Sequence, residues 1–142
     1  MTTEEKNAIL RGAAQTNGST VNQNMTEAEI SLGYPSLLIG EFVGVSDGIH
    51  NAEGLVKVIR LDDGSMILRL ENFKATNGPD LYVYLATDNG ASDFVNLGRL
   101  KGNIGNQNYD IPESTDFSRY DTVLIWCKAF SVLFGSAKLE QQ

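Results

Sequence analysis

The sequence predicts an all-β fold, either an antiparallel β-sandwich or a closed barrel of about eight short strands. From residue 37 onward, short apolar or alternating runs are separated by clusters of Gly, Pro, Asn and Asp, a pattern typical of strands and turns. These runs recur about every 8–15 residues, as they do in sandwiches and barrels. No window of helical length in this region has an amphipathic period, which disfavours a helical domain.

The predicted strands follow these runs and lie at residues 37–45, 55–61, 65–71, 81–86, 94–100, 107–111, 122–128 and 131–139. The segment 62–65 (Asp-Asp-Gly-Ser) predicts a tight hairpin with a primed turn, because Asp-Gly supplies the positive φ angles that such turns need. Alternation at 81–85 predicts a strand with one wet face. The run 123–127 is apolar on both faces, which predicts a central strand between two layers.

The first 36 residues are predicted to form a flexible polar tether ahead of a β domain at 37–142. Tyr34 is the one aromatic residue in this segment, whereas the remainder holds the other eleven. Residues 12–29 are small and polar, so they bury too little surface to offset chain entropy. Residues 3–11 could form one or two helical turns, but Ile9 and Leu10 offer little apolar surface, which favours a frayed terminus.

Charge and composition exclude several functions. The chain has 11 Lys and Arg against 18 Asp and Glu, a net charge of −7, which repels nucleic acid. One Cys excludes an intramolecular disulfide, a Cys-x-x-Cys pair and a thiolate-built zinc or iron–sulfur site, and one His excludes a bis-histidine haem. The acidic turns lack EF-hand spacing and there is no Gly-x-Ser-x-Gly motif, so we predict no metal site and assign no enzyme class.

Two residues remain as candidates for chemistry. Cys127 is the only thiol, and strand alternation places it on one face with Val123 and Ile125. A buried core residue and a redox or ligating thiol are both open, because a thiolate needs a neighbouring cation or an exposed edge. His50 lies in the loop 46–54, where it is either a hydrogen-bonded turn residue or, if it meets Cys127 in space, part of a site.

Two sequence signals of membrane insertion and export are missing from this sequence. No stretch approaches the roughly 20 apolar residues of a membrane span, and the first residues lack the apolar core of a signal peptide. A polar tether before a compact domain is what remains when an export signal or anchor is trimmed away. We therefore expect any membrane attachment to come through a missing anchor or signal.

Residues 38–140 or so resemble the DM13 domain, the Skeletor-type or electron-transfer DM domain. The matching motifs are Gly-Glu-Phe at 40–42, His50 with Gly54, Leu-Glu-Asn-Phe at 70–73, Gly-Pro-Asp-Leu-Tyr-Val-Tyr-Leu at 78–85, Leu-Gly-Arg-Leu-Lys-Gly at 97–102, Gly-Asn-Gln-Asn-Tyr at 105–109, and the segment 123–137, which contains Trp-Cys. Their order, with the Gly-Pro-Asp and Trp-Cys anchors, makes the combination specific.

The resemblance implies a β-rich extracytoplasmic or cell-surface module, found alone or beside DOMON and cytochrome b-type membrane domains. It places the signature cysteine of the family at Cys127 and implies a redox role for it, either as a bare thiol or as a ligand to haem or another redox group, with His50 and Trp126 as candidate cofactor-binding neighbours. The expected partner is then a redox protein, and self-association is open. The alternative function is a non-enzymatic binding or assembly module in which Cys127 is a buried core residue.

Overall fold

The computed structural model describes residues 2–15, 18–23 and 36–141, in which two antiparallel sheets pack face to face and one helix lies near the N-terminus. The elements of these residues are helix α1 (Thr3–Gln15) and strands β1 (Ser36–Glu41), β2 (Val43–Gly44), β3 (Ala52–Arg60), β4 (Met66–Ala75), β5 (Leu81–Ala86), β6 (Phe94–Arg99), β7 (Gln107–Ile111), β8 (Thr122–Cys127), β9 (Val132–Lys138) and β10 (Glu140–Gln141).

The two sheets form an open sandwich, which confirms one of the two predicted architectures and shows that the closed barrel was wrong. Sheet I has the strand order β10-β1-β3-β4-β7, and sheet II the order β2-β9-β8-β5-β6. Each sheet therefore keeps two edge strands. Two of the crossings between the sheets are single residues, Phe42 between β1 and β2 and Leu139 between β9 and β10, and both are buried, so two corners of the sandwich are filled by apolar side chains.

The predicted strands are all present, and three of them differ from the observed strands by more than one residue. The predicted strand 37–45 is divided into β1 and β2 at the sheet-to-sheet crossing. β3 begins at Ala52 and β4 continues to Ala75. The two strands are this long because they stay paired on both sides of a bulge, where the register shifts between Glu53 and Leu55. Gly54 has φ +117° there, and a Cβ atom would lie 2.8 Å from the carbonyl oxygen of Asn72. Polar residues and glycine in the sequence therefore placed the start of β3 too late and the end of β4 too early.

The hairpin at 62–65 is present, but its predicted primed turn was wrong. The backbone N–H of Gly64 donates to the carbonyl of Leu61, and Gly64 alone in this turn has positive φ, at +86°. The two central residues of this turn, Asp62 and Asp63, have a right-handed backbone conformation, and Gly64 forms a glycine bulge after them. The carboxylate of Asp63 accepts a hydrogen bond from the N–H of Ser65, which holds Asp63 in the right-handed conformation.

The N-terminal residues differ from the predicted frayed terminus. Helix α1 is 13 residues long, and the hydroxyl of Thr2 caps it by accepting a hydrogen bond from the N–H of Glu5. Leu10 is 1% exposed and belongs to the main core, so one leucine docks the helix. Farther along, the N–H of Val21 donates to the carbonyl of Ile104. Residues 24–35 of the predicted tether lie outside the described residues, and the domain division at 36 stays a prediction.

The main core lies between the sheets and is built from alternate residues of their strands. Its fully buried members include Val56, Leu68, Val83, Ile125 and Phe134, each 0% exposed. The predicted central position of 123–127 is confirmed, since β8 is the middle strand of sheet II. No helix of the described residues is long and apolar enough to cross a membrane.

Candidate functional site

Cys127 is the last residue of β8, at the end of the middle strand of sheet II. Its Cα pairs with Leu81 of β5 on one side and Val132 of β9 on the other. The side chain is 0% exposed and faces the core with Val123 and Ile125, as the strand alternation predicts. The thiol is free, so no disulfide constrains it.

The surroundings of the thiol favour its protonated form. Burial raises the pKa of Cys127 above the ordinary thiol value, and the nearby carboxylate of Asp80 raises it further. Backbone hydrogen bonds from Phe130, Asp80 and Ala129 lower the pKa but do not compensate. Cys127 is therefore a neutral thiol at neutral pH and a weak nucleophile while it stays buried.

The thiol is covered by the turn that joins β8 to β9, residues 128–131, which we call the β8–β9 turn. Lys128, Ala129 and Ser131 are exposed. Ser131 has φ +53°, a left-handed conformation that is strained for a serine. The backbone of Ala129 and Phe130 hydrogen-bonds with the thiol, so this turn contacts the buried Cys127 side chain.

His50 is buried in the loop that follows β2. Its ring stacks on Phe134 with centroids 4.1 Å apart, and its Nδ1 contacts the carboxylate of Asp47. The same carboxylate accepts hydrogen bonds from the backbone N–H groups of Ile49 and His50, both at 2.8 Å. Burial tends to raise the pKa of Asp47, but these hydrogen bonds outweigh burial and hold the pKa below its usual value. Asp47 therefore stays ionised and fixes the loop and the ring.

Cys127 and His50 have separate surroundings. The groups that act on the thiol are Asp80, Ala129 and Phe130, whereas the imidazole contacts Asp47 and Phe134. The Nε2 atom of His50 is buried and has no hydrogen-bond partner among the described residues. Nothing in these contacts joins the two side chains into one site, so the predicted sharing of a ligand by His50 and Cys127 gains no support and stays a prediction.

Haem fits these residues poorly. An axial ligand needs open space beside its donor atom, and Cys127 is fully buried among core side chains. Within residues 2–15, 18–23 and 36–141, no group of three or more His, Cys, Asp and Glu side chains could hold a metal ion. We therefore derive no step through a prosthetic group.

Trp126, the third predicted site residue, points to the opposite face of sheet II from Cys127. There it packs in a second cluster with Tyr84 and Leu124, and its ring centroid lies 6.4 Å from that of Tyr84. Tyr84 is only 2% exposed although Tyr82 on the same face is partly exposed, so the wet face predicted for β5 was wrong at Tyr84. Rings from β6 and β8 pack beside Tyr84, and alternation within β5 could not reveal them.

The sequence analysis missed a buried polar network in sheet I. The hydroxyl of Tyr109 accepts a hydrogen bond from the N–H of Lys101 at 2.8 Å and donates to the side-chain oxygen of Gln107. The Gln107 amide donates to the carbonyl of Gly102 at 2.9 Å. Burial raises the pKa of Tyr109 to about 12. Alternation of Gln107 and Tyr109 along β7 was the available signal, but it does not tell a buried glutamine from an exposed one.

Comparison with known proteins identifies the family of the chain but no individual relative. No curated protein and no solved structure matches the chain. A family model does match it, described as electron transfer DM13, over residues 41–139. This range contains all the strands from β2 to β9, including the buried Cys127 at the end of β8. The chain therefore belongs to the DM13 family, whose domain is described as an electron-transfer domain.

Proposed function

We propose that this domain transfers electrons as an exported or surface-tethered accessory module, and that the Cys127 thiol is its redox group. The position of Cys127 carries the proposal, because the only thiol of the chain ends β8 directly beneath the exposed β8–β9 turn. Family membership supports the electron-transfer class. The fold supplies a thiol that is shielded at rest and becomes reachable when one turn opens.

Opening of the turn is the step that controls the reaction. Exposed turns open locally at a much lower free energy than the whole domain unfolds. Lys128 and Ala129 are exposed, and the strained φ of Ser131 adds a local cost to the closed turn. We therefore expect the buried thiol to react through brief openings of residues 128–131.

The chemistry of the opened thiol is thiol–disulfide exchange with a thiol/disulfide partner. The Cys127 thiolate attacks one sulfur of a disulfide RSSR, a new S–S bond forms, and the departing RS⁻ takes up a proton. Cys127 is oxidised in this step and one half of RSSR is reduced. One thiol, R′SH, then attacks the Cys127 sulfur and releases RSH, and a second R′SH attacks the R′ sulfur of the new mixed disulfide, releases R′SSR′ and restores the Cys127 thiol. Two electrons pass from two R′SH to RSSR, and the domain returns to its starting state.

Glutathione disulfide provides the probe for this proposal. We expect intact-mass spectrometry to show one glutathione adduct on the native protein, reversed by reduced glutathione and absent in Cys127→Ser. Ala129→Gly loosens the turn and should raise the adduct rate about twofold to fivefold, since such a change is worth less than about 1 kcal/mol. Glu113→Gly, in the exposed turn after β7, is the matched control and should leave the rate unchanged.

The result that would overturn the proposal is an adduct that forms only as fast as the whole domain unfolds. That rate is measured separately by urea-jump fluorescence of Trp126, the single tryptophan. Such a result would favour the alternative function, a non-enzymatic binding or assembly module in which Cys127 is a core residue. The full burial of Cys127 and its raised pKa are the observations that support this alternative.

A further inference from the structure

The outer face of sheet II carries a cleft that shares Lys128 and Ser131 with the β8–β9 turn but does not include Cys127. Aromatic rings of Tyr84, Phe94 and Trp126 line it, together with Lys128 and Ser131 at one end. Gly90 and Ala91 line the remainder. The cleft has a volume of about 420 Å³, which lies in the range of small-molecule sites.

The rings of the cleft are nearly parallel to one another. Tyr84 and Phe94 stack with centroids 4.0 Å apart and planes 12° apart, and the planes of Tyr84 and Trp126 differ by 27°. Phe94 is 39% exposed, although it is a large apolar residue. Tyr84 is only 2% exposed, so Phe94 and the partly exposed Trp126 are the rings that a flat aromatic ligand can reach, and it would gain both apolar burial and ring–ring contact there.

The cation at one end of the cleft is Lys128. The Nζ atom of Lys128 lies 5.4 Å from the centroid of the Tyr82 ring. No carboxylate in the described part of the chain forms a salt bridge with Lys128, although Lys57, Lys138 and Arg99 all have one. The nearest acidic group at the other end is Asp88, which accepts a hydrogen bond from the N–H of Gly90 at 2.8 Å. An anionic group is therefore favoured at the Lys128 end and disfavoured at the Gly90 end.

We propose that this cleft binds a flat aromatic molecule that carries a carboxylate, with its ring against Phe94 and Trp126 and its anionic group at Lys128. A sugar fits less well, because Lys128 and Ser131 are the main polar side chains of the lining and a sugar needs many hydrogen-bond partners. A cleft of this size is also much smaller than a stable protein interface. The proposal does not depend on Cys127, which faces the other side of the sheet.

The test uses 2-naphthoate as the probe, with calorimetry for affinity and Trp126 fluorescence for location. Trp126 is the only tryptophan, so a saturable change in its emission reports this cleft. Lys128→Gln should weaken binding about tenfold, the effect of losing one charge-assisted contact. Lys101→Gln is the matched control, because Lys101 also lies over a tyrosine ring, 5.1 Å from that of Tyr109. It should leave the affinity unchanged.

Further probes separate the aromatic from the anionic requirement. Cyclohexanecarboxylate, which has no aromatic ring, and the cation 2-naphthylmethylammonium should both bind at least about tenfold more weakly than 2-naphthoate. Phe94→Ala should weaken 2-naphthoate while the domain stays folded, since Phe94 is partly exposed.

Several results would overturn the proposal. They are no binding of 2-naphthoate at millimolar concentration, equal affinity in Lys128→Gln, equal binding of the cationic probe, or self-association through this face that Lys128→Gln abolishes. Cys127→Ser should leave 2-naphthoate binding unchanged. A failure of the redox proposal can therefore be told apart from a failure of this one.

Discussion

The two faces of strands β5 and β8 use alternate residues of the same short segments, yet their chemistry is opposite. The inner face carries Val83, Ile125 and Cys127, aliphatic or sulfur side chains that are 0% exposed. The outer face carries Tyr82 and Trp126, partly exposed rings with cations nearby. A second sheet seals the inner face, whereas no second layer among the described residues covers the outer one. Chemistry on the inner face therefore needs local opening, and binding on the outer face does not.

The largest difference between the two faces should appear in stability. Phe134 of β9 is fully buried on the inner side, and its neighbour Leu133 packs half-buried in the outer cluster. Phe134→Ala should lower the free energy of unfolding by about 3–5 kcal/mol, because it leaves a cavity between the sheets. Leu133→Ala should cost about 1–2 kcal/mol, since less apolar area leaves the interior. Urea denaturation measures both, and equal losses would contradict a sealed inner face.

A polar atom in place of the Cys127 sulfur should lower the stability of the domain by less than a cavity does. Cys127→Ser places a hydroxyl in the core and should cost about 1–3 kcal/mol, the cost of burying a poorly hydrogen-bonded polar group. Ala129→Ser adds the same hydroxyl two residues away on the exposed turn and should change stability by less than about 0.5 kcal/mol. If thermal unfolding shows no loss for Cys127→Ser, water already reaches this position.

Tyr109 lies on the inner side of sheet I, and its substitution should cause the smallest loss of stability at neutral pH. Its pKa, about 12, is raised above the value near 10 of an unfolded tyrosine. The stabilisation linked to its neutral form is thus complete below about pH 10 and is lost as the pH rises through 10 to 12. Tyr109→Phe should cost roughly 1 kcal/mol at neutral pH through lost hydrogen bonds.

The pH dependence supplies the control for Tyr109. Stability measured by urea denaturation should fall less steeply above about pH 10 in Tyr109→Phe than in the unsubstituted protein. The phenolate absorbance of the unsubstituted protein should also show one tyrosine that ionises last and is missing in the variant. Identical stability profiles would contradict the burial of this hydroxyl.

Much of sheet II could be predicted from the sequence, because its strands are signalled by local patterns. The run 123–127 is apolar throughout and lies in the middle strand, and the side of Cys127 follows from alternation. The resemblance to the DM13 family is confirmed by the family model over residues 41–139, whereas the role that it implies for Cys127 stays a prediction.

Apart from the type of turn at 62–65, the failures of sequence reasoning involve contacts between distant residues. Helix α1 is held by Leu10 in a core formed mainly by residues after 36, so local propensity underestimated it. The strand β4 extends to Ala75 only because it pairs with β3 across a bulge at Gly54. The aromatic cleft needs Phe94 stacked on Tyr84 from a neighbouring strand, and no spacing in the chain encodes that pairing.

The sequence by itself determined the all-β class, most strand positions, the exclusion of disulfide and dithiol chemistry, and which face Cys127 occupies. These properties follow from alternation, turn residues and residue counts, which act over a few positions of the chain. Only the tertiary structure decided that the sandwich stays open, that a single turn covers the thiol, and that the other side of the same strands forms a cationic aromatic cleft. Strand pairing and sheet packing join residues far apart in sequence, so burial and electrostatics at each site are set by the whole fold.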